Sequence, residues 1–210
     1  MTALIRRLPA VLLVVVFGFM GSAVLADGSH DRHDRGTILG KLLRTDGAQA
    51  LVAAVLVVDE AGALPFSLAE LLGDRHSKVI LLAPGNAAFE KLLGLDAGTL
   101  NGLSVTDIKG ALPGLLPVGV GADEVAAILL KHASLPGRHR GHRHWGHRNA
   151  SEDALLKKGE ITVADERTFP VGIGASGVSI NYETTIIKPD IFAKNGVIHF
   201  IDTVIVDGLL

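Results

Sequence analysis

The side chains best suited to ligand chemistry are concentrated in residues 138–148, RHRGHRHWGHR. His139, His142, His144 and His147 supply four imidazoles, a donor type that holds zinc, copper or nickel when several converge. Gly141 and Gly146 give the backbone freedom to bring them together. Arg138, Arg140, Arg143 and Arg148 oppose that convergence by mutual repulsion. The same residues describe a solvated cationic loop with Trp145 as its one apolar side chain, which attracts anionic polysaccharide, lipid headgroups or nucleic acid and gains charge as pH falls through the histidine range. An exposed basic loop is the expected reading and metal ligation the alternative. They respond oppositely to acid, because protons compete with a metal for imidazole. Asn149-Ala150-Ser151, just beyond, is a glycosylation sequon if a eukaryotic secretory pathway makes the chain.

Elsewhere the candidates read as structural. His199 lies in a run apolar on both faces, which suits a hydrogen-bonded core histidine. Asp202 falls on the opposite face of the same extended strand, so the two are not an acid–base pair. His132 closes a predicted helix, where an imidazole serves terminal carbonyls. Asp190 follows Pro189 and is expected to cap the turn there. Asn86 is expected to cap a helix over residues 87–93. Residues 172–177, GIGASG, match G-x-G-x-x-G, but a strand pattern follows them. A dinucleotide site needs a helix N-terminus at that point to meet the pyrophosphate, so a glycine-rich hairpin is expected and no dinucleotide. The sequence contains no His-Glu-x-x-His, P-loop or Gly-x-Ser-x-Gly, and no cysteine. No enzyme is expected from these residues.

The compartment is written at the N-terminus. Arg6 and Arg7 precede an uncharged apolar run over residues 8–26 that ends Ala23-Val24-Leu25-Ala26, the pattern of an export signal cleaved after Ala26. An uncleaved membrane anchor is the competing reading, because the run approaches the roughly 20 residues that span a bilayer. Cleavage leaves 18 basic against 22 acidic residues, a net charge of −4, and removes both methionines. The sulfur-free remainder suits an oxidising compartment, the periplasm or the cell exterior. A mild acidic excess also argues against a protein devoted to nucleic acid.

The elements that must position these residues fall into two halves. Residues 27–36 are polar, of mixed charge and without an apolar side chain to bury, so they read as a flexible leader to one domain over residues 37–210. Helical patterns cover residues 38–43, 50–58, 65–72, 87–93, 105–110 and 124–132, interrupted by one short β-rich run at 78–82. Residues 160–163, 168–171, 178–187 and 197–206 are rich in β-branched side chains and separated by glycine or proline, so they read as strands. Helices followed by strands, with no internal repeat, predict an α+β domain.

Four segments resemble signatures of the fasciclin domain family. Residues 82–89, LAPGNAAF, are similar to its strand-to-helix segment, and residues 195–205, NGVIHFIDTVI, to its closing strand. Leu130-Lys131-His132 stands where the family often has Leu-Tyr-His, and Pro189-Asp190-Ile191 where it often has an Asp-Ile pair before the closing strand. Lys131 departs from that pattern, as do Leu82 and Gly85, which replace Phe and Thr. The resemblance implies a β-wedge of two short sheets flanked by several helices. It further implies a secreted, non-enzymatic role in adhesion or in matrix or biofilm association, with an extracellular protein or polysaccharide as partner and Asp190 and Ile191 as a contact. A periplasmic metal-binding protein using the histidine-rich loop is the alternative.

Overall fold

The computed structural model describes residues 36–135 and 150–206. The expected signal peptide, the leader as far as residue 35, the whole His/Arg loop at 138–148 and Asn149 lie outside the described residues.

Six helices precede or interrupt the first strands. Thr37 caps α1 (Ile38–Leu42), its Oγ1 accepting from Gly40 N at 3.3 Å. α2 (Gln49–Ala61) consists largely of Ala, Leu and Val and is buried over most of its surface. It stops at Gly62, whose φ of 63° is the left-handed cap that glycine adopts without a Cβ penalty. α3 (Leu68–Gly73), α4 (Asn86–Leu93), α5 (Val105–Leu115) and α6 (Ala122–Leu130) all pack on α2. Ser104 and Asp107 form a reciprocal capping box at the start of α5. That helix continues past Gly110, where the pattern predicted its end. Pro113 falls in its last turn, so few later residues remain for the missing amide to disturb.

The strands are β1 (Val79–Pro84), β2 (Ala133–Ser134), β3 (Glu160–Thr162), β4 (Thr168–Gly174), β5 (Gly177–Ile180), β6 (Thr184–Ala193) and β7 (Gly196–Ile201), with α7 (Glu152–Lys158) before β3. They form one seven-stranded sheet in the order β2-β1-β7-β6-β5-β4-β3, curled into a near-barrel. The domain is α+β as expected, but the two short sheets are replaced by this single one. The reason is β6. Its ten residues pair with β5 through Thr184 and Thr185 and with β7 from Ile186 to Ala193, joining what would otherwise be separate ladders. The single strand expected over residues 178–187 is in fact two. Asn181 and Tyr182, at φ of 52° and 62°, turn the chain between β5 and β6. Residues 172–177 form the β4–β5 hairpin, with Gly174 opposite Gly177.

β1 and β7 run parallel at the middle of the sheet and are buried on both faces. Val79, Leu81, Ala83, Ile198 and Phe200 point into the core shared with the helices. Ile80, Leu82, Val197 and Ile201 point into a second core enclosed by the curl of the sheet and closed by Ala150 and Leu155. The pairing depends on Gly196. A Cβ there would lie 1.9 Å from the Val79 carbonyl oxygen and 2.8 Å from Ile38 Cδ1.

Asn86 does not cap α4. That helix begins at Asn86 itself, with Gly85 as its cap residue and no side-chain cap bond. The Asn86 side chain instead turns inward: Oδ1 accepts from Ala50 N at 3.0 Å, and Nδ2 donates to Gln49 Oε1 at 3.0 Å and to the Leu100 carbonyl at 3.3 Å. It therefore satisfies an otherwise orphaned amide at the start of α2. Asp202 also leaves its expected place on a strand face. β7 ends at Ile201, and Asp202 exchanges two bonds with Thr185, through its N–H at 3.1 Å and its Oδ1 at 2.8 Å.

Three substitutions separate these effects in chemical denaturation. Gly196→Ala loses about 3 kcal/mol through overpacking against backbone. Asn86→Ala loses about 2 kcal/mol by stranding buried partners. Gly110→Ala, with no atom near the added methyl, gains about 0.5 to 1 kcal/mol of helix propensity.

Candidate functional site

The Asp-Ile segment sits where β6 breaks its ladder with β7. Register shifts occur between Ile186 and Lys188 and again between Lys188 and Ile191. Pro189 has no amide to donate, and Asp190 takes a φ of 59°, so the strand bulges between them. Lys188 and Pro189 face solvent, while Ile191 is half-buried against the helix-side core.

Asp190 does not cap the turn after Pro189. Its Oδ1 accepts from Glu152 N at 2.9 Å, so it satisfies the first amide of α7, 38 residues away in sequence. Its own N–H donates to His199 Nδ1 at 3.3 Å. The opposite ring nitrogen of His199, Nε2, lies 2.9 Å from the Ala150 carbonyl. With Nδ1 accepting, Nε2 must carry the proton and donate, so the ring is held neutral with both nitrogens occupied. Burial pushes its pKa down, against the opposing pull of the Ala150 carbonyl and the Asp190 carboxylate. His199 and Asp190 thus pin Ala150 and Glu152, the point at which the described chain resumes after the His/Arg loop.

His132 is held in the other tautomer. Its Nδ1 donates to the Ile128 carbonyl at 2.8 Å and its Nε2 accepts from Ile205 N at 3.0 Å, tying the end of α6 to the segment after β7. Burial pushes its pKa down to about 4. Its own carbonyl accepts from Leu82 N, and Leu82 stands opposite His199 in the β1–β7 register. Neither imidazole retains a free nitrogen for a proton or a metal. Beside His132, Lys131 is only 1% exposed and donates from Nζ to the Val206 carbonyl at 2.6 Å. The departure from the Leu-Tyr-His pattern is therefore a buried ammonium that reaches the chain beyond the closing strand.

Asp190, Ile191 and His199 are brought together at one corner, with His132 on the far side of β1 and Asn86 at the start of α4. A cavity of about 260 Å³ opens beside the corner, lined by Gly36, Lys41, Arg44, Thr45, Lys188 and Ile191. Sequence reasoning did not single out its three cations.

The fasciclin domain family model matches residues 63–207. Among solved structures, the chain is similar to the FAS1 domain pair of the insect cell adhesion molecule Fasciclin I, with a TM-score of 0.55 and 16% sequence identity. That alignment covers 81% of this chain and 50% of the other, so the chain spans about half the length of that domain pair. No curated protein matches the sequence. The α+β near-barrel and the family match together place this chain in the fasciclin domain family. Fasciclin domains are commonly adhesion modules, not enzymes, and are typically extracellular. Among the described residues, no helix is long and apolar enough to cross a membrane.

The buried neutral histidines make stability depend on pH with a definite sign. A folded-state pKa below the unfolded value means that the unfolded chain takes up protons first on acidification. For His132, stability is complete above its ordinary value of 6.5 and is lost as pH falls towards about 4, with His199 adding in the same direction. Urea titrations should show a decline of up to about 3 kcal/mol across that window from His132, at roughly 1.4 kcal/mol per pH unit. His132→Gln should be less stable at neutral pH and show a shallower acid decline. A decline of equal steepness in that variant would assign the acid sensitivity to other groups.

Proposed function

We propose that this protein is a secreted, non-enzymatic adhesion module that holds an extracellular protein or polysaccharide of a matrix or biofilm. The observation that carries this reading is the family match over residues 63–207, a family commonly concerned with adhesion. The signal-like residues 1–26 and the sulfur-free remainder support export. In this reading the basic loop, with Arg138, Arg140, Arg143, Trp145 and Arg148, supplies long-range attraction to anionic surfaces, and the corner at Asp190 and Ile191 supplies a short-range contact. The bond from Asp190 to Glu152 N limits that contact. Substituting Asp190 also uncaps α7, so adhesion lost in such a variant does not by itself identify a binding residue.

The test is attachment of the purified protein to an anionic polymer surface, compared with a variant in which residues 138–148 are replaced by a neutral linker of equal length. Attachment should weaken in the variant and with added salt, as the screening length falls to about 8 Å at physiological ionic strength. It should strengthen near pH 5.5 as the loop histidines protonate. Attachment indifferent to salt, pH and the loop would remove the loop from the adhesion reading. Calorimetry with zinc, copper or nickel examines the alternative: saturable metal uptake that weakens with acid and disappears when His139, His142, His144 and His147 are changed to Ala would favour a metal-binding protein.

A further inference from the structure

The imidazole of His199 is fully buried, but the carboxylate beside it is not: the Asp190 side chain is 36% exposed and sits at the edge of water. His199 shares a face of β7 with Val197 and Ile201, so its ring points into the second core. β1, one neighbour in the sheet, brings no titratable side chain, and α1, with Lys41, packs on the opposite, helix side of β7. The charged groups nearest the ring come from β6 and α7. β6 supplies Asp190, and also Lys188, which faces solvent. α7 supplies Glu152 and Asp153, and burial, with the charges of Asp190 and Asp153, holds the Glu152 carboxyl above its ordinary value.

The bonds in this cluster suit one protonation state. Nδ1 accepts from Asp190 N at 3.3 Å while Nε2 donates to the Ala150 carbonyl, so a proton added at Nδ1 takes away the acceptor of the Asp190 amide and sets one N–H against another. A second partner stands close by. Asp190 Oδ1 lies 3.9 Å from Nδ1, about 1 Å beyond a hydrogen bond. It is the same oxygen that accepts from Glu152 N at 2.9 Å, so moving it towards a charged ring draws it away from α7. The positive φ of Asp190 loses its tether through the amide at the same moment. Nε2 donates in both states, so Ala150 stays pinned, and Leu155 keeps the body of α7 seated in the second core.

We propose that His199, Asp190 and Glu152 form a proton switch: when Nδ1 gains a proton, the Asp190 carboxylate replaces the Asp190 amide as its partner, and the first turn of α7 is released from the β6 bulge while the sheet stays folded. The part that changes shape is the corner that carries Asp190 and Ile191. Burial opposes the charged ring and the adjacent carboxylate favours it, so the switch operates below the ordinary histidine range. Protonation of Glu152 removes a negative charge from the start of α7 and acts in the same direction. His132 is no such device, because its charged neighbour is Lys131 and not a carboxylate, and its protonation only costs stability. The switch goes beyond the adhesion reading, since it belongs to the fold and needs no partner.

The experiment is NMR of the purified protein from about pH 7.5 to about pH 4.5, a window that spans the histidine range. Ring nitrogen shifts report the proton on His199 Nδ1. Amide exchange, expressed relative to an unstructured peptide at the same pH, reports the protection of Glu152 and Asp190. Both amides should lose protection at least about tenfold with the midpoint of the His199 ring and with little dependence on added urea, the mark of a local opening. Ile198 and Phe200 in β7 should instead follow the global stability measured by urea titration. Asp190→Asn keeps an acceptor for Glu152 N and a residue that tolerates positive φ, but offers the imidazolium no charge. In that variant the His199 midpoint should fall to lower pH, because the carboxylate that raises it is gone, and Glu152 should stay protected where the parent has lost protection. A variant with His139, His142, His144 and His147 changed to Ala should respond as the parent does. A His199 ring that stays neutral until the whole protein unfolds would overturn the proposal. So would Glu152 protection that is unchanged as the ring titrates, that follows the Glu152 carboxyl and not the ring, or that is lost alike in Asp190→Asn. Loss seen only when the loop histidines are present would place the sensor in the loop and also overturn it. No surface or partner enters these measurements, so their failure leaves the adhesion reading standing, and a protein that attaches to nothing can still switch.

Discussion

The parallel ladder between β1 and β7 is the constraint on which the rest of the molecule depends. Six register pairs, from Val79 opposite Gly196 to Pro84 opposite Ile201, join strands that are buried on both faces. Strands of that kind need cover on each side. The helices built around α2 supply one cover, and the remainder of the sheet supplies the other by curling over Leu82, Val197 and Ile201. Parallel neighbours also require a long crossover, which here takes up nearly everything between Pro84 and Gly196. Gly196 is the narrow point of the arrangement, because only hydrogen fits against the Val79 carbonyl and Ile38.

Covering a central ladder with short helices leaves many helix ends and loop amides inside the protein, where an unpaired group costs about 1 to 3 kcal/mol. Polar side chains, most of them buried, answer that need by joining one segment to another. Asn195 accepts from Ile38 N at 2.8 Å and donates to the Leu72 carbonyl at 3.0 Å. Glu90 accepts from Leu100 N at 2.7 Å and Gly98 N at 2.9 Å. Asp59 accepts from the first two amides of α3 and from its cap residue, Ser67. Asn86, His132 and His199 belong to the same set. The polar letters that stand out in otherwise apolar runs, including the Asn and His of the closing-strand signature, are therefore the fasteners of the fold. Most of their partners are backbone groups of this chain.

The same economy shapes the exposed corner. Asp190 spends one carboxylate oxygen on α7 and its amide on His199, so the positive φ it adopts is held from two sides. What the bulge offers to solvent is Lys188, which faces the cations at the end of α1 across the cavity. An acidic-looking motif is thus tied inward.

The sequence by itself determined the fold class and the family, because hydrophobic period, β-branched runs and glycine or proline breaks are local properties, and because residues 82–89 and 195–205 carry their pattern in order along the chain. It also determined that residues 197–201 lie in the middle of a sheet, since apolar side chains on both faces leave no side for water. The tertiary structure alone decided that the strands form one sheet, because β6 joins the two groups through a turn at Asn181 and Tyr182, and a tyrosine does not announce a turn. It decided the partners of Asn86 and Asp190, which read locally as caps of the nearest turn or helix and in fact cap α2 and α7. It also decided the cavity, whose Lys41, Arg44 and Lys188 are unremarkable on their own segments. Pairing between residues far apart in the chain depends on where packing carries each segment, and side-chain type and local spacing hold no record of that.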